Sequence, residues 1–297
     1  MAALVDRVIR NDHLQDIQEY YRATRDHYRW MWSPDHLHFG YWENPEYLNG
    51  HWHEGARTNA QAVRNMSEKL NGWARMMGDG RWCCLDAGCG VGGTIQLIGD
   101  QHPRSYGYGL TISPDQAREG SERLMMRHRS RSWKIIQGDY DNPPFRPSTF
   151  DRIWFLESFC YAIDPAATLK TMWDLLRPGG VLTIVDGFRG DGFDGPADEQ
   201  LFQDWAHGWA VRDLARPDDL TSILQGLEAK HIDFEDITEH VLPSSEILYR
   251  RARRARWWLR WGWGSPWQKA NIRSALLQRE VFEKRLMRYG VLWAMKP

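Results

Sequence analysis

Short apolar runs and segments of helical periodicity alternate along the chain from residue 82 onward. The runs are bounded by turn residues, as buried strands are, and they predict strands at 82–86, 105–110, 133–137, 150–156, 180–186, 232–238 and 289–295. Strands that are separated by helices pair in parallel, because each connection crosses one face of the sheet. The pattern therefore predicts an α/β fold whose mostly parallel sheet has helices on both faces.

The region before residue 76 lacks this alternation. Apolar residues recur at helical spacing over residues 1–33, and the helix should stop before Pro34. A second helix is predicted over about 55–70. We expect a helical cap over 1–75 and one main domain over 76–297. Two segments exceed a minimal sheet, at 188–230 and 243–285, and are expected to form helical lid insertions.

A glycine-rich turn follows the first predicted strand. Glycine permits positive φ and close approach of a ligand to the backbone, and the helix start behind the turn offers free N–H groups. The spacing of Gly88, Gly90 and Gly93 also satisfies the dinucleotide fingerprint. An NAD enzyme would carry Asp or Glu about 20 residues on, where this chain has Gly-Leu-Thr-Ile-Ser at 109–113. The missing acid disfavours NAD.

Composition and charge narrow the class further. The net charge of -1 provides no field for nucleic acid, and no apolar run is long enough to span a bilayer. The four cysteines and the histidines show no metal-ligand spacing. We expect a soluble, cytoplasmic protein without a metal, and a homo-oligomer is compatible with this composition. The 17 tryptophans indicate a large aromatic-lined volume or an adhesive surface.

A second motif, Leu-Arg-Pro-Gly-Gly-Val-Leu at 176–182, predicts a helix end, a turn and a strand. Together with Asp-Ala-Gly-Cys-Gly-Val-Gly-Gly at 86–93, it resembles the class I S-adenosylmethionine-dependent methyltransferases. The resemblance covers roughly residues 15–297 and is strongest between 82 and 187. It implies a Rossmann-like, seven-stranded sheet with an antiparallel last strand. It also implies S-adenosylmethionine as cofactor, bound above the carboxyl ends of the first strands.

The same resemblance implies a set of cofactor contacts. The segment at 109–116 is similar to that of cyclopropane-fatty-acid and mycolic-acid synthases, in which a threonine and a glutamine serve the ribose. An aspartate before the first glycine faces the amino-acid moiety, and an aspartate and a tyrosine after the third strand fit the adenine end. These residues are Asp86, Gly88, Gly90, Thr111, Gln116, Asp139 and Tyr140, with Glu157 beside the methyl group.

Glu157 ends the fourth predicted strand, which is otherwise apolar. Burying a carboxylate is costly unless the group is paired or functional. The segment resembles that of sterol C-methyltransferases, and prenyl-diphosphate C-methyltransferases also carry glutamate here. Cyclopropane synthases have their acid three residues later, where this chain has Cys160. The departure favours the sterol and terpenoid branch.

Methylation of an alkene carbon needs no base to make the nucleophile, but it leaves a carbocation. Electron-rich rings stabilise such a cation, and one acceptor must take the departing proton. Glu157 is the expected electrostatic group and acceptor, and the further catalytic candidates are Tyr21, Tyr161 and His38. The aromatic residues expected to bind substrate are Tyr28, Trp32, Phe39, Phe159 and Trp205.

Residues 249–261 combine arginines and tryptophans at helical spacing. Arginine binds a diphosphate with planar bidentate donors, which makes Arg253 and Arg256 candidates for an anionic head group. A helix lying at a membrane interface would also be basic and rich in tryptophan. The third interpretation is a solvated helix whose arginines pair with acids.

The sequence therefore predicts a methyltransferase that acts on an alkene carbon of an isoprenoid, either a prenyl diphosphate or a terpenoid-bearing metabolite. Cyclisation or rearrangement of the cation could follow methyl transfer. One alternative is an O- or N-methyltransferase of a small metabolite. Another is a non-catalytic protein of the same fold that associates with membranes or nucleic acid. The near-neutral charge speaks against this last alternative.

Overall fold

The computed structural model describes the chain apart from residues 1, 32–35, 44–45, 49–50, 54–57, 79, 128–131 and 261–263, and without the side chains of 2–9, 26–31, 46–48, 51–53 and 258–260. The main sheet has seven strands: β3 (Cys83–Ala87), β4 (Tyr106–Thr111), β5 (Trp133–Gln137), β6 (Phe150–Leu156), β7 (Leu176–Arg189), β8 (Lys230–Asp236) and β9 (Met287–Met295). Their order across the sheet is β5-β4-β3-β6-β7-β9-β8.

Strand β9 runs antiparallel to both of its neighbours, whereas β3, β4, β5, β6 and β7 pair in parallel. The predicted α/β class, with a mostly parallel sheet and an antiparallel last strand, is confirmed. Six of the predicted strands lie within about two residues of the observed ones. Strand β7 begins at Leu176 and not at residue 180, because its first residue pairs with Phe150 before a shift in register.

The helices are α1 (Ala2–Met31), α2 (Asn59–Trp73), α3 (Gly93–Gln101), α4 (Pro114–Met126), α5 (Pro165–Leu175), α6 (Pro196–His207), α7 (Pro217–Gly226), α8 (Thr238–Arg260) and α9 (Pro266–Glu283). Local chemistry explains several of their starts. Ser113 caps α4 and Asp164 caps α5, each ahead of a proline in the first turn. A short hairpin of β1 (Glu46–Leu48) and β2 (His51–His53) was not predicted.

Two buried clusters hold the fold together. One contains Trp133 and Trp154, whose side chains are fully buried, so part of the tryptophan surplus is ordinary core. Helices α1, α6 and α8 all contact α9, whereas α7 contacts α5 and β8. Of the two predicted lid segments, 188–230 thus contributes α6 to the helical layer around α9, and 243–285 contributes α9 itself and most of α8.

Candidate active site

Three glycines in the turn between β3 and α3 have positive φ, as the glycine-rich sequence predicts. Gly88, Gly90 and Gly92 have φ of +89°, +55° and +79°, in the region that L side chains rarely adopt. A Cβ at Gly88 would lie 2.3 Å from the Cβ of Ser158, so this glycine is required by packing. A Cβ at Gly90 would have no atom within 4 Å, so the space beside this residue is open.

A cavity of about 910 Å³ opens beside this turn, and we call it the cofactor cavity. It lies where β3 and β4 end, which is the ligand-binding edge of a parallel sheet of this kind. Each residue that the sequence assigned to the cofactor lines it: Asp86, Gly88, Gly90, Thr111, Gln116, Asp139, Tyr140 and Glu157.

Asp86 is the buried acid of the cofactor cavity, with 2% of its surface exposed. Burial raises the pKa of its carboxyl to about 7. Its Oδ2 atom has no hydrogen-bond partner among the described residues. A buried carboxyl oxygen without a partner is costly, so this side of Asp86 is suited to a cationic donor such as an α-ammonium group.

The ribose and adenine ends also carry suitable groups. The Thr111 hydroxyl donates to Gln116 Oε1 at 2.8 Å, which leaves the Gln116 amide nitrogen as a donor for a diol. The Tyr140 hydroxyl donates to the carbonyl of Ser158 at 3.0 Å and thereby fixes its ring. Asp139 accepts a hydrogen bond from the Asp141 N–H at 2.9 Å.

Helix α1 covers the end of the cofactor cavity at which Asp139 and Asp141 lie. Arg10 forms an ion pair with Asp139 and lies 3.4 Å from a carboxyl oxygen of Asp141. Further along α1, the Gln18 side-chain amide donates to the carbonyl of Ile112 at 3.1 Å. The predicted N-terminal cap is thus in direct contact with the cofactor cavity through α1.

A second cavity of about 930 Å³ adjoins the first, and we call it the substrate cavity. Its aromatic lining comes from Tyr21, Phe39, Tyr161, Trp205, Trp209 and Tyr289. Five residues line both cavities and form their common wall: Tyr21, Leu37, His38, Glu157 and Tyr161. All four catalytic candidates therefore stand between the cofactor cavity and the aromatic substrate cavity.

Two hydrogen bonds hold the Glu157 side chain in this wall. Its Oε1 atom accepts hydrogen bonds from the Phe39 N–H at 2.6 Å and from the Tyr289 hydroxyl at 2.7 Å. Burial raises its pKa to about 8, although both hydrogen bonds favour the charged form. Its backbone has φ of +51°, a conformation that costs about 1 kcal/mol or more for a residue with a Cβ. Glycine would relieve that strain, so the side chain itself must be needed.

The other three catalytic candidates, Tyr21, Tyr161 and His38, differ in the hydrogen bonds and proton transfers that are open to them. The Tyr161 hydroxyl donates to the carbonyl of Trp209 at 3.2 Å, so the Tyr21 hydroxyl is the donor in the 3.1 Å bond between the two phenols. His38 Nδ1 lies 2.8 Å from the Phe39 carbonyl and must carry the proton there. Burial and the neighbouring His36 lower the pKa of His38 to about 3, which makes it a weak base.

Asp186 is a second acid in the substrate cavity, and the sequence interpretation missed it. Its carboxyl accepts from the N–H groups of Cys160 at 3.0 Å and Gly187 at 2.8 Å, and burial raises its pKa to about 6. A lone acid in a buried apolar strand was the signal that identified Glu157, and the same signal was present here. Tyr289 could not have been found in this way, because its role depends on how β9 pairs with β7.

Several predicted substrate residues do not lie where expected. Phe159 is a core residue that packs edge-on against Phe155 at 5.2 Å and lines neither cavity. Arg253 and Arg256 are exposed and line a surface groove on α8, because the buried side of that helix turns Ala252 toward α9. These two arginines therefore line a groove separate from the substrate cavity, and their binding of an anionic head group stays a prediction. The side chains of Tyr28 and Trp32 lie outside the described residues.

Across the described residues, no group of three or more His, Cys, Asp or Glu side chains is placed to hold a metal ion. No helix in the described part of the chain is long and apolar enough to cross a membrane.

Comparison with known proteins identifies the class. Residues 85–184 match the family described as Methyltransferase domain. The 2-methyl-6-phytyl-1,4-hydroquinone methyltransferase of Synechocystis sp. is 25% identical over 226 residues, covering 71% of this chain and 68% of that protein. The 24-methylenesterol C-methyltransferase 2 of Oryza sativa subsp. japonica is 24% identical over 277 residues, covering 93% and 68%.

Two solved structures share the fold over nearly the whole chain. The 4+2 cyclase SpnF aligns with a TM-score of 0.73 at 20% identity and covers 96% of this chain and 97% of its own. Geranyl diphosphate C-methyltransferase from Streptomyces coelicolor aligns with a TM-score of 0.71 at 18% identity, covering 96% and 98%. The chain is a class I S-adenosylmethionine-dependent methyltransferase, and the predicted cofactor is confirmed. The non-catalytic alternative is thereby set aside.

Proposed function

We propose that this methyltransferase transfers a methyl group to an alkene carbon of an isoprenoid, through a carbocation. The observation that carries the proposal is the common wall, where a buried carboxyl separates the cofactor cavity from an aromatic cavity. The substrates named for three of the compared proteins support it. One carries a phytyl chain, one is a sterol and one is geranyl diphosphate.

The chemistry follows from what each group can supply. S-adenosylmethionine, when bound, supplies an electrophilic methyl group on a sulfonium. The alkene π pair forms the new carbon–carbon bond as the carbon–sulfur bond breaks, and the positive charge moves to the substrate. Glu157 and Asp186, in their ionised forms, provide negative charge for that cation, and the aromatic rings of the lining provide electron-rich faces. A proton then leaves the carbon next to the cation, and Glu157 accepts it.

The charges of the substrate cavity favour a neutral isoprenoid over a diphosphate. Among its described lining residues there is no lysine or arginine, whereas there are two acids, Glu157 and Asp186. A diphosphate would find no cationic side chain to pair with among these residues, and an unpaired charge is strongly unfavourable in a buried site. We therefore place a terpenoid or a prenylated metabolite ahead of a prenyl diphosphate.

O-methylation is the second candidate, and one observation favours it. A carboxyl whose pKa is about 8 is poised to take a proton from a substrate hydroxyl near neutral pH. The aromatic lining has no evident task in that reaction, since no cation forms on the substrate. C-methylation uses both features and is therefore preferred.

The proposal is tested by turnover with candidate substrates. Purified enzyme and S-adenosylmethionine are incubated with neutral isoprenoid alkenes, the corresponding diphosphates and small phenols, and the products are analysed by mass spectrometry. We expect products one methylene heavier from a neutral isoprenoid alkene. Methylated phenols together with unreacted isoprenoids would contradict the proposal and support O-methylation.

A further inference from the structure

Two hydrogen-bond donors of the substrate cavity have no partner in the described part of the chain. They are the indole nitrogen of Trp209 and the side-chain amide nitrogen of Gln278. Both residues line the substrate cavity and neither lines the cofactor cavity. They therefore belong to the substrate cavity alone, and Trp209 adjoins the common wall through the bond that the Tyr161 hydroxyl donates to its carbonyl.

The identity of the free amide atom of Gln278 follows from its neighbour. The Trp205 indole can only donate, and its Nε1 lies 2.9 Å from the Gln278 side chain. The atom that faces Trp205 must therefore be Oε1, which leaves Nε2 as the one without a partner. Gln278 is 1% exposed, so this donor is almost completely withdrawn from water.

Buried donors without acceptors are costly, and a partner is expected for each. Both groups offer N–H, so the partner is an acceptor. Asn271, two turns before Gln278 on α9, adds a polar side chain to the same part of the lining, held by its own bond to the Tyr20 hydroxyl at 3.0 Å. With no lysine or arginine among the described lining residues, the acceptor that fits is a neutral oxygen.

We infer that Trp209 and Gln278 together hold a neutral oxygen of the substrate, a carbonyl or hydroxyl oxygen that lies within the substrate cavity. This inference rests on the proposed isoprenoid substrate and specifies its polar end. Two lone pairs on one oxygen match two N–H donors. The substrate class is thus an oxygenated isoprenoid, and neither a pure hydrocarbon nor a diphosphate meets the requirement.

The test measures binding and needs no turnover. Farnesylacetone, farnesene and farnesyl diphosphate are titrated into the enzyme in the presence of S-adenosylhomocysteine, and affinities are read by calorimetry. Each hydrogen bond contributes about tenfold in affinity. We expect the ketone to bind far more tightly than the hydrocarbon and the diphosphate.

Two variants assign that preference to the two donors. Trp209→Phe removes the N–H and keeps a ring, and Gln278→Met keeps the length and removes the amide. Each should weaken ketone binding about tenfold more than it weakens farnesene binding. Trp257→Phe, at an exposed tryptophan of α8, is the matched control and should change neither. If Gln278→Met fails to fold, Trp209→Phe decides alone.

The outcomes separate this inference from the proposed function. Equal affinity for ketone and hydrocarbon, or equal losses for both in Trp209→Phe, would overturn the inference and leave an isoprenoid substrate standing. Tightest binding of the diphosphate would overturn the inference in the same way. If none of the three probes binds, the proposed isoprenoid substrate fails, and the inference fails with it.

Discussion

The substitution Glu157→Gln isolates the negative charge at the wall between the two cavities. Glu157 Oε1 accepts from the Phe39 N–H and the Tyr289 hydroxyl, and an amide oxygen can accept both bonds. The variant thus keeps the shape of the wall and loses the charge and the proton acceptor. Cofactor affinity should change little, because the residues that serve the amino-acid, ribose and adenine ends are untouched.

The size of the effect follows from the proposed role. Losing one preorganised electrostatic group or general base lowers turnover by about 10²-fold or more. With a pKa of about 8, roughly a tenth of the free enzyme carries the ionised form at pH 7. Activity that needs the carboxylate is present above that pKa and is lost as the pH falls through it. The ratio of wild-type to variant activity should therefore rise between pH 6 and pH 9.

The stability of the folded wild-type protein should depend on pH in the opposite way to its activity. The folded-state pKa of Glu157 lies above its ordinary value of 4.5, so the folded protein binds the extra proton. The stability linked to this proton is complete below about pH 4.5 and is lost as the pH rises through about 8. Glu157→Gln removes this dependence. Near pH 9 the variant should be more stable than the wild type by an amount on the order of a few kcal/mol.

Both properties are measured on the same preparations, by steady-state kinetics across pH and by thermal unfolding. Glu283→Gln, at an exposed glutamate of α9 that pairs with Arg279, is the matched control and should leave both profiles unchanged. A Glu157→Gln enzyme with normal turnover, the same products and the wild-type pH profile would refute the assigned role. Glu157 would then be a structural residue.

Three further predictions concern the rest of the site. Gly90→Ala should weaken cofactor binding at least tenfold in calorimetry while costing about 1 kcal/mol in folding, because its Cβ enters open space at φ of +55°. An unchanged cofactor affinity in Gly90→Ala would contradict the assignment of this turn to the cofactor. Gly88→Val should instead lower the melting temperature, since a Cβ there meets Ser158. The affinity of the wild-type enzyme for S-adenosylmethionine should fall as the pH drops below about 7, because protonated Asp86 cannot pair with an ammonium group. Asp86→Asn should bind the cofactor weakly at every pH. If the affinities of the two proteins changed with pH in the same way, Asp86 would not be the group responsible. The double variant Arg253→Gln, Arg256→Gln should have a KM for the substrate within about twofold of the wild-type value, because both side chains are exposed on α8. A rise in KM that is selective for a diphosphate substrate would show that the two arginines bind its head group.

The strand framework and the cofactor cavity were predictable because their signals are local. Apolar runs between turn residues specify buried strands, and the glycines at 88 and 90 mark a backbone that must take positive φ. The order of strands in the chain then brings the ends of β3 and β4 together, with the side chains that follow them. As a result, all residues that the sequence assigned to the cofactor line the same cavity.

The remaining features depend on contacts between distant segments. The bond from Tyr289 to Glu157 spans 132 positions, and the pair of Arg10 with Asp139 spans 129. The arginines of α8 do share a helical face, as their spacing indicates. The buried face is the one that carries Leu248, Ala252 and Ala255 at helical spacing and packs against α9, and the sequence interpretation did not use that stripe.

The most direct test of the central claim is the position of the transferred methyl group. The enzyme is supplied with S-adenosylmethionine that carries a carbon-13 methyl group and with the isoprenoid substrate that gives turnover, and the product is examined by nuclear magnetic resonance. We predict that the labelled carbon is coupled to a substrate carbon of the former alkene, with a proton lost from an adjacent carbon. A labelled methyl group bonded to oxygen or nitrogen would contradict the account.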